Sequence, residues 1–237
     1  TKVIRGKAFY IDPGKVNGDT FELDQEESLH ASRVLRLKPN DEICLLDGTG
    51  TGFHALIKSV VHDRVSGVIR EKKHGLGENR ISIILAPAMI KRDRFETLLE
   101  KATELGVNEI HPLVLDRCVK KTINTNRCQK IVTASAKQCR RSLFPVVKNP
   151  KDLETWINTI DGPCIAGSLN GEKTISQLNL GAEKPIHIII GPEGDFSDQE
   201  IKKMKKTGVQ FYSLGERRLR AETAALATLS VLNELMN

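Results

Sequence analysis

Apolar and polar positions alternate in short runs over residues 7–11, 42–47, 53–60 and 65–70, separated by Pro13-Gly14, Asn17-Gly18 and the glycine-rich turn 48–52. Period-two alternation punctuated by turn residues predicts strands, and several short strands in succession predict a small barrel or sandwich. One helical stretch, around 26–37, interrupts them. The segment 72–79 (KKHGLGEN) is polar, charged and glycine-containing, the composition of a connection between domains. The predicted domains are therefore 1–74 and 75–237.

Beyond that connection the pattern changes. Apolar runs at 81–86, 109–115, 163–167, 186–190 and 209–214 alternate with stretches of helical period. Such alternation predicts an α/β domain, a parallel sheet with helices on its faces. The helix predicted over 92–105 carries Phe95, Leu98, Leu99, Ala102 and Leu105 on one stripe and is stopped by Gly106. The helix over 197–207 opens with Ser197 and Glu200 as a capping box and closes at Gly208. The last helix, 222 to about 235, is apolar nearly all round, which predicts burial in the core or in a subunit interface.

A chain of 237 residues with 39% hydrophobic content can bury a substantial core. No apolar run approaches the length of a bilayer span, and residues 1–12 lack the apolar stretch of a secretory signal, so a soluble, cytoplasmic protein is expected. The five cysteines form no CxxC pair and the six histidines no tight ligand spacing, so the sequence indicates neither a metal site nor a disulfide framework. The thiols are expected reduced, most of them in the core. The net charge of +6 is uneven: residues 117–148 hold nine basic side chains and no acidic one. A stretch of this kind attracts a polyanion, nucleic acid first, although a solvated basic helix face would look the same. Lys120, Lys121, Lys130, Lys137, Arg140 and Arg141, with Arg33 and Arg36 of the first domain, are the candidates for binding nucleic acid.

Two loops stand out for chemistry, each after a predicted strand: Gly191-Pro192-Glu193-Gly194-Asp195-Phe196-Ser197, and 214–224, LGERRLRAETA. Ligands of open α/β sheets bind at the carboxyl ends of strands, where glycines allow close backbone approach. A turn and helix cap would explain the first loop without a ligand, and solvated helix-end charges part of the second. The run Gly48-Thr49-Gly50-Thr51-Gly52 resembles a dinucleotide loop, but an alternating strand pattern follows it where a helix is needed, so a hairpin turn is expected.

At these loops the chain resembles the bacterial enzymes that methylate N3 of a uridine in 16S ribosomal RNA, members of the SPOUT methyltransferase superfamily. The similar segments are LHASRVLRLKPNDEICLLDG (29–48), KRDRFETLLEKATELGVNEIHPL (91–113), SAKQCRRSLFP (135–145), IIIGPEGDFS (188–197) and LGERRLRAETAAL (214–226). The resemblance implies a PUA-like β-barrel, then a SPOUT-type α/β domain with a deep C-terminal trefoil knot, an S-adenosyl-L-methionine pocket at the knotted loops, and a homodimer in which RNA meets both subunits. Carried over by position, the cofactor-binding residues are Ala166, Gly167, Ser168 and Leu169; Gly191, Pro192, Glu193 and Gly194; Leu214 and Gly215; and Leu219, Arg220, Glu222 and Thr223. Asp195 departs from the family in standing where a second glycine is common, Arg218 where an aliphatic residue is usual, and Lys137 where an acidic residue often precedes Gln138.

Methylating the imide nitrogen of uracil requires alignment of donor and acceptor, stabilisation of negative charge on the ring carbonyls, and a route for the proton. Arg220 is the first catalytic candidate, because a guanidinium fork can meet a ring carbonyl; Arg140 and Arg141 come second. Glu222 is a candidate proton acceptor or the holder of an arginine, and the sequence does not separate the two. The alternatives are a non-catalytic RNA-binding ribosome-assembly factor and a nucleotide-dependent α/β enzyme; intact GPEG and LRAET motifs speak against the first, the missing phosphate fingerprint against the second.

Overall fold

The computed structural model describes residues 6–181 and 183–236. Its contacts divide the chain into two units: the described residues up to Glu78 together with Ala136–Phe144, and Asn79–Ser135 with Pro145 onward. This division differs from a single cut at 74/75 because residues 136–144 associate with the first unit. There Arg141 pairs with Glu78, and the Gly50 N–H donates to the Ser142 carbonyl at 3.0 Å.

The first unit contains β1 (Lys7–Tyr10), β2 (Val16–Asn17), β3 (Thr20–Glu22), α1 (Gln25–Leu29), β4 (Glu42–Leu46), β5 (Thr51–Val61) and β6 (Arg64–His74). The strands form one six-stranded sheet in the order β1-β4-β5-β6-β3-β2, antiparallel except for the β1/β4 pair. The expected closed barrel is corrected to an open sheet, since β1 and β2 are its two edges and do not pair with each other. β2 is only two residues long and ends at Gly18, whose φ of 58° turns the chain back into β3, so it offers little ladder to close on. The helix expected over 26–37 is α1, N-capped by Asp24 through the Glu27 N–H at 2.8 Å, followed by a π-helical turn over His30–Val34. Ala31 of that turn is buried in one cluster with Phe9, Phe53 and Val65. β6 runs to His74, so the first residues of the predicted connection are strand, paired with the start of β5; Gly75 and Gly77, both at positive φ, then turn the chain away. The glycine run is the expected hairpin turn, in which Asp47 Oδ1 accepts from the N–H groups of Thr49 and Thr51 at 2.8 Å each.

The second unit contains β7 (Ile83–Pro87), α2 (Arg92–Glu104), β8 (Glu109–Ile110), β9 (Leu113–Val114), most of α3 (Thr125–Cys139), β10 (Val146–Val147), β11 (Lys151–Asp152), α4 (Leu153–Ile157), β12 (Cys164–Gly167), β13 (Ile186–Ile190), α5 (Asp198–Lys206), β14 (Gln210–Tyr212) and α6 (Ala221–Met236). Six of the strands form the expected parallel sheet, in the order β10-β8-β7-β13-β12-β14. The apolar run 109–115 is not one strand. Pro112, which has no N–H to give a ladder, separates β8 from β9, and β9 pairs instead with β11.

Alternation along β13 (IHIII) divides the core into two layers. Ile186, Ile188 and Ile190 pack with Leu98 and Leu99 of α2, Val132 of α3 and Leu229 of α6, while Ile189 packs with Trp156 of α4 and Met204 of α5. All five β13 residues are buried, as a central parallel strand covered on both faces requires, and each isoleucine contributes roughly 1.5–3 kcal/mol. α5 has the expected capping box, and α2 ends as expected ahead of Gly106, at φ 90°. α6 buries Ala225, Thr228, Leu229 and Leu232 and leaves Val231 and Leu235 38% and 46% exposed.

Among the described residues no helix is long and apolar enough to cross a membrane. All five cysteines are free thiols and all but Cys139 are buried, with burial pushing Cys44 up to about 11 and Cys164 up to about 12. Thiols so far above neutral pH are not nucleophiles.

Candidate active site

Strand order brings the candidate loops together. β13, β12 and β14 are neighbours in that order, so the segments leaving their carboxyl ends lie side by side, and the Ser168 N–H donates to the Tyr212 carbonyl at 2.9 Å. These segments and the first turn of α6 enclose a cleft of about 610 Å³, counting its open mouth. Gly167, Ser168 and Leu169 line it from β12; Ile190, Gly191, Pro192, Glu193 and Asp195 line it from β13. Leu214, Gly215, Arg217, Arg218 and Leu219 complete it after β14, with Ala221 and Ala224 from α6. The mixed apolar and polar walls, with backbone exposed at glycines, are those of a small-molecule site.

Most predicted cofactor residues are therefore in one place, and the exceptions have physical reasons. The Ala166 side chain is wholly buried in the layer beside α4 and α5, because β12 alternates away from the cleft at that position. Gly194 lies outside the lining, with its carbonyl oxygen accepting from Arg117. Arg220 and Thr223 are exposed and also outside the lining, while Glu222 is half-buried behind it. A Cβ at Gly191 would meet the Phe196 ring at 3.1 Å, so this glycine accommodates a core aromatic rather than a ligand. Gly215 has φ of 103° and open space where a Cβ would stand, so it is there for its backbone conformation.

Both departures in these loops have a structural account. Asp195 adopts φ of 63°, which explains why glycine is usual at this position; aspartate is among the few other residues that tolerate it, and its carboxylate accepts from the Phe196 N–H at 2.8 Å. Arg218 reaches across the cleft mouth and donates to the Glu193 carbonyl oxygen.

Sequence reasoning missed Arg94. From the first turn of α2 its guanidinium contacts the Glu193 carboxylate and stands 3.6 Å from Glu222 Oε2. No local pattern marks it, because its partners come from distant parts of the chain. Ala221 and Ala224, three apart on one helix face, could have been recognised as cleft-facing from their spacing after the loop.

The basic candidates separate into two groups. Lys120, Lys121 and Lys130, all in the second unit, are exposed, as is Arg36 of the first. The others are engaged within the first unit. Lys137 Nζ lies 2.6 Å from Glu27 Oε1, Arg140 Nη2 donates to the Gly6 carbonyl at 2.9 Å, and Arg33 Nε donates to Asp63 at 3.0 Å. Arg141 is 2% exposed, with Nη2 at 2.6 Å from Glu78. Its expected place in RNA binding or catalysis is corrected: the guanidinium is sealed in a buried ion pair. The acidic residue that often precedes Gln138 is replaced here by Lys137, and Glu27 supplies the charge it meets.

The sequence pattern of an RNA methyltransferase domain matches residues 77–233, and that of an RNA methyltransferase PUA domain residues 23–69. Two similar relatives carry the name ribosomal RNA small subunit methyltransferase E. That of Synechocystis sp. is 31% identical over 95% of this chain and 77% of its own, and that of Mesomycoplasma hyopneumoniae 32% identical over 86% and 89%. The crystal structure of a ribosomal RNA small subunit methyltransferase E from Neisseria gonorrhoeae, bound to S-adenosyl methionine, superposes with a TM-score of 0.88 at 27% identity, covering 98% of both chains.

Proposed function

From the premise that this chain belongs to the RNA methyltransferase family, we propose that it transfers the methyl group of S-adenosyl-L-methionine to N3 of a uridine in 16S ribosomal RNA. One observation carries the reading: three loops from adjacent strand ends close a single cleft whose walls suit that cofactor. Leu169, Leu214, Leu219, Ala221 and Ala224 form an apolar surface for the adenosine, and the Glu193 carboxylate offers a partner for positive charge. When bound, the cofactor supplies an activated methyl group.

The chain's own residues then orient the uracil and stabilise the negative charge on its carbonyls, while the imide proton passes to solvent. Arg220 is exposed at the start of α6 and, among the described residues, its side chain forms no hydrogen bond or ion pair, so its fork is available to the ring carbonyls. Glu222 is better suited to holding Arg94 than to accepting a proton, because its shielded Oε2 faces that guanidinium. Lys120, Lys121 and Lys130 receive RNA phosphates. The exposed Val231 and Leu235 of α6 support a homodimer, testable by light scattering. The order β7-β13-β12-β14, with β13 inserted ahead of β12, is compatible with the trefoil knot, which an experimental trace through residues 165–225 would test. A cytoplasmic location follows from this substrate.

Incubation with small ribosomal subunits, and separately with free 16S RNA, in the presence of methyl-labelled cofactor should label one uridine at N3, located by mass spectrometry of nuclease fragments. Label on another atom or base would overturn the N3 assignment, and no label with either substrate would overturn the enzymatic reading.

A further inference from the structure

We propose that Arg94 is a positioning residue that holds one carboxylate from each of two cleft segments, Glu193 after β13 and Glu222 in α6, so that the cleft is formed before a ligand arrives. The proposal rests on reading that cleft as the cofactor site, but its first consequence does not require the cofactor. α2 contributes nothing to the lining, yet Arg94 in its first turn contacts the Glu193 carboxylate and stands 3.6 Å from Glu222 Oε2. A guanidinium presents several donors in a fixed plane and can serve two carboxylates at once, whereas an ammonium is a point charge on a flexible stem.

The two ends of this bridge are unequal. The Glu193 side chain is 58% exposed, so its pairing alone contributes little, as surface pairs generally do. The Glu222 side chain is 13% exposed, and its Oε2 is shielded from solvent with no hydrogen bond among the described residues. Arg94 Nη1 stands 3.6 Å from that oxygen, and its removal would strand a shielded carboxylate. The stem of Arg94 is anchored because Phe95, Leu98 and Leu99 fix this end of α2 in the core. Arg218 adds a second tie, donating to the Glu193 carbonyl from the segment after β14. Glu193 is thereby held through its side chain by α2 and through its backbone by the third cleft segment. Loops ordered in advance spare the ligand the free-energy cost of ordering them.

Hydrogen exchange on the cofactor-free protein tests this first. Arg94→Ala should speed amide exchange in residues 191–196 and in 219–224 together, whereas Glu193→Ala should speed the first segment alone. Calorimetry with S-adenosylhomocysteine should then give a Kd roughly tenfold weaker for Arg94→Ala, and steady-state assays a raised KM for the cofactor with kcat little changed. Arg94→Lys should recover less than half of that loss, and adding Arg94→Ala to Glu193→Ala should cost less than it does alone, because the two share a contact. If Arg94→Ala does not fold, Arg94→Lys decides through the same two measurements. Wild-type exchange in both segments, or full recovery with lysine, would overturn the proposal. Failure of the wild-type protein to bind the ligand would overturn the reading of the cleft while leaving the exchange result to judge Arg94.

Discussion

The acid-free stretch 117–148 divides into two parts that look alike in sequence and differ in the fold. In the first, Lys120, Lys121 and Lys130 are exposed and form no salt bridge among the described residues, although Arg127 between them pairs with Glu96 at 2.7 Å. In the second, Lys137, Arg140 and Arg141 are engaged by Glu27, the Gly6 carbonyl and Glu78, all supplied by the first unit. The absence of acids within the stretch therefore does not measure its free positive charge. Partners come from residues distant in sequence, and of these six side chains only Lys120, Lys121 and Lys130 keep the charge needed for a polyanion.

Breaking the engaged part should give the largest effect. Arg141→Met removes one half of a buried pair and leaves Glu78, 12% exposed, without its counter-charge. The first unit should lose about 3–5 kcal/mol, read from urea denaturation, and adding Glu78→Leu should restore part of it. A loss below about 1 kcal/mol would mean that Arg141 is not locked in place, and the two parts would no longer differ as described.

Replacing Lys120, Lys121 and Lys130 together with alanine should leave the unfolding midpoint and cofactor affinity unchanged. The logarithmic salt dependence of RNA binding should become shallower by about 2, because fewer counterions are released. An unchanged salt slope would show that phosphates are contacted elsewhere.

The sheet and its helices were legible because burial on both faces forces apolar runs such as IHIII, and because caps such as Ser197 with Glu200 are local chemistry. The cleft was legible at the loop level for a related reason: glycines and charged residues directly after strands mark strand ends. Arg94 was not, because an ion pair between α2 and two distant loops leaves no trace in either local sequence. The open first sheet was also missed. Alternation reports which face of a strand is buried but carries no information on whether the first and last strands meet. Ala166 was carried over to the cleft by its position in the family resemblance, although in a strand adjacent residues face opposite layers and its side chain lies in the layer away from the cleft.

The smallest expected effect concerns a second buried group able to carry positive charge, His187, which meets burial in the opposite way to Arg141. His187 lies on β13 and is 5% exposed, with its ring against Trp156 and, among the described residues, no hydrogen-bond partner for Nδ1. Burial holds its pKa below the ordinary value of 6.5, so it stays neutral where Arg141 is paired. In the unfolded chain the same imidazole titrates near 6.5, so between that value and the lower folded one the unfolded state binds the extra proton. Stability should therefore be full above pH 6.5, fall as the pH drops from 6.5 towards the folded value, and level off below it. Denaturation of the second unit at pH 7.5 and 5.5 should show this loss, smaller than that of Arg141→Met, and His187→Leu should flatten it. His111, whose Nδ1 accepts from Trp156 Nε1 at 2.8 Å, is a second imidazole against the same indole, and His111→Gln separates its share. If His187→Leu kept the full wild-type drop while His111→Gln abolished it, the acid sensitivity would belong to the Trp156 hydrogen bond, and the buried neutral histidine would have no part in it.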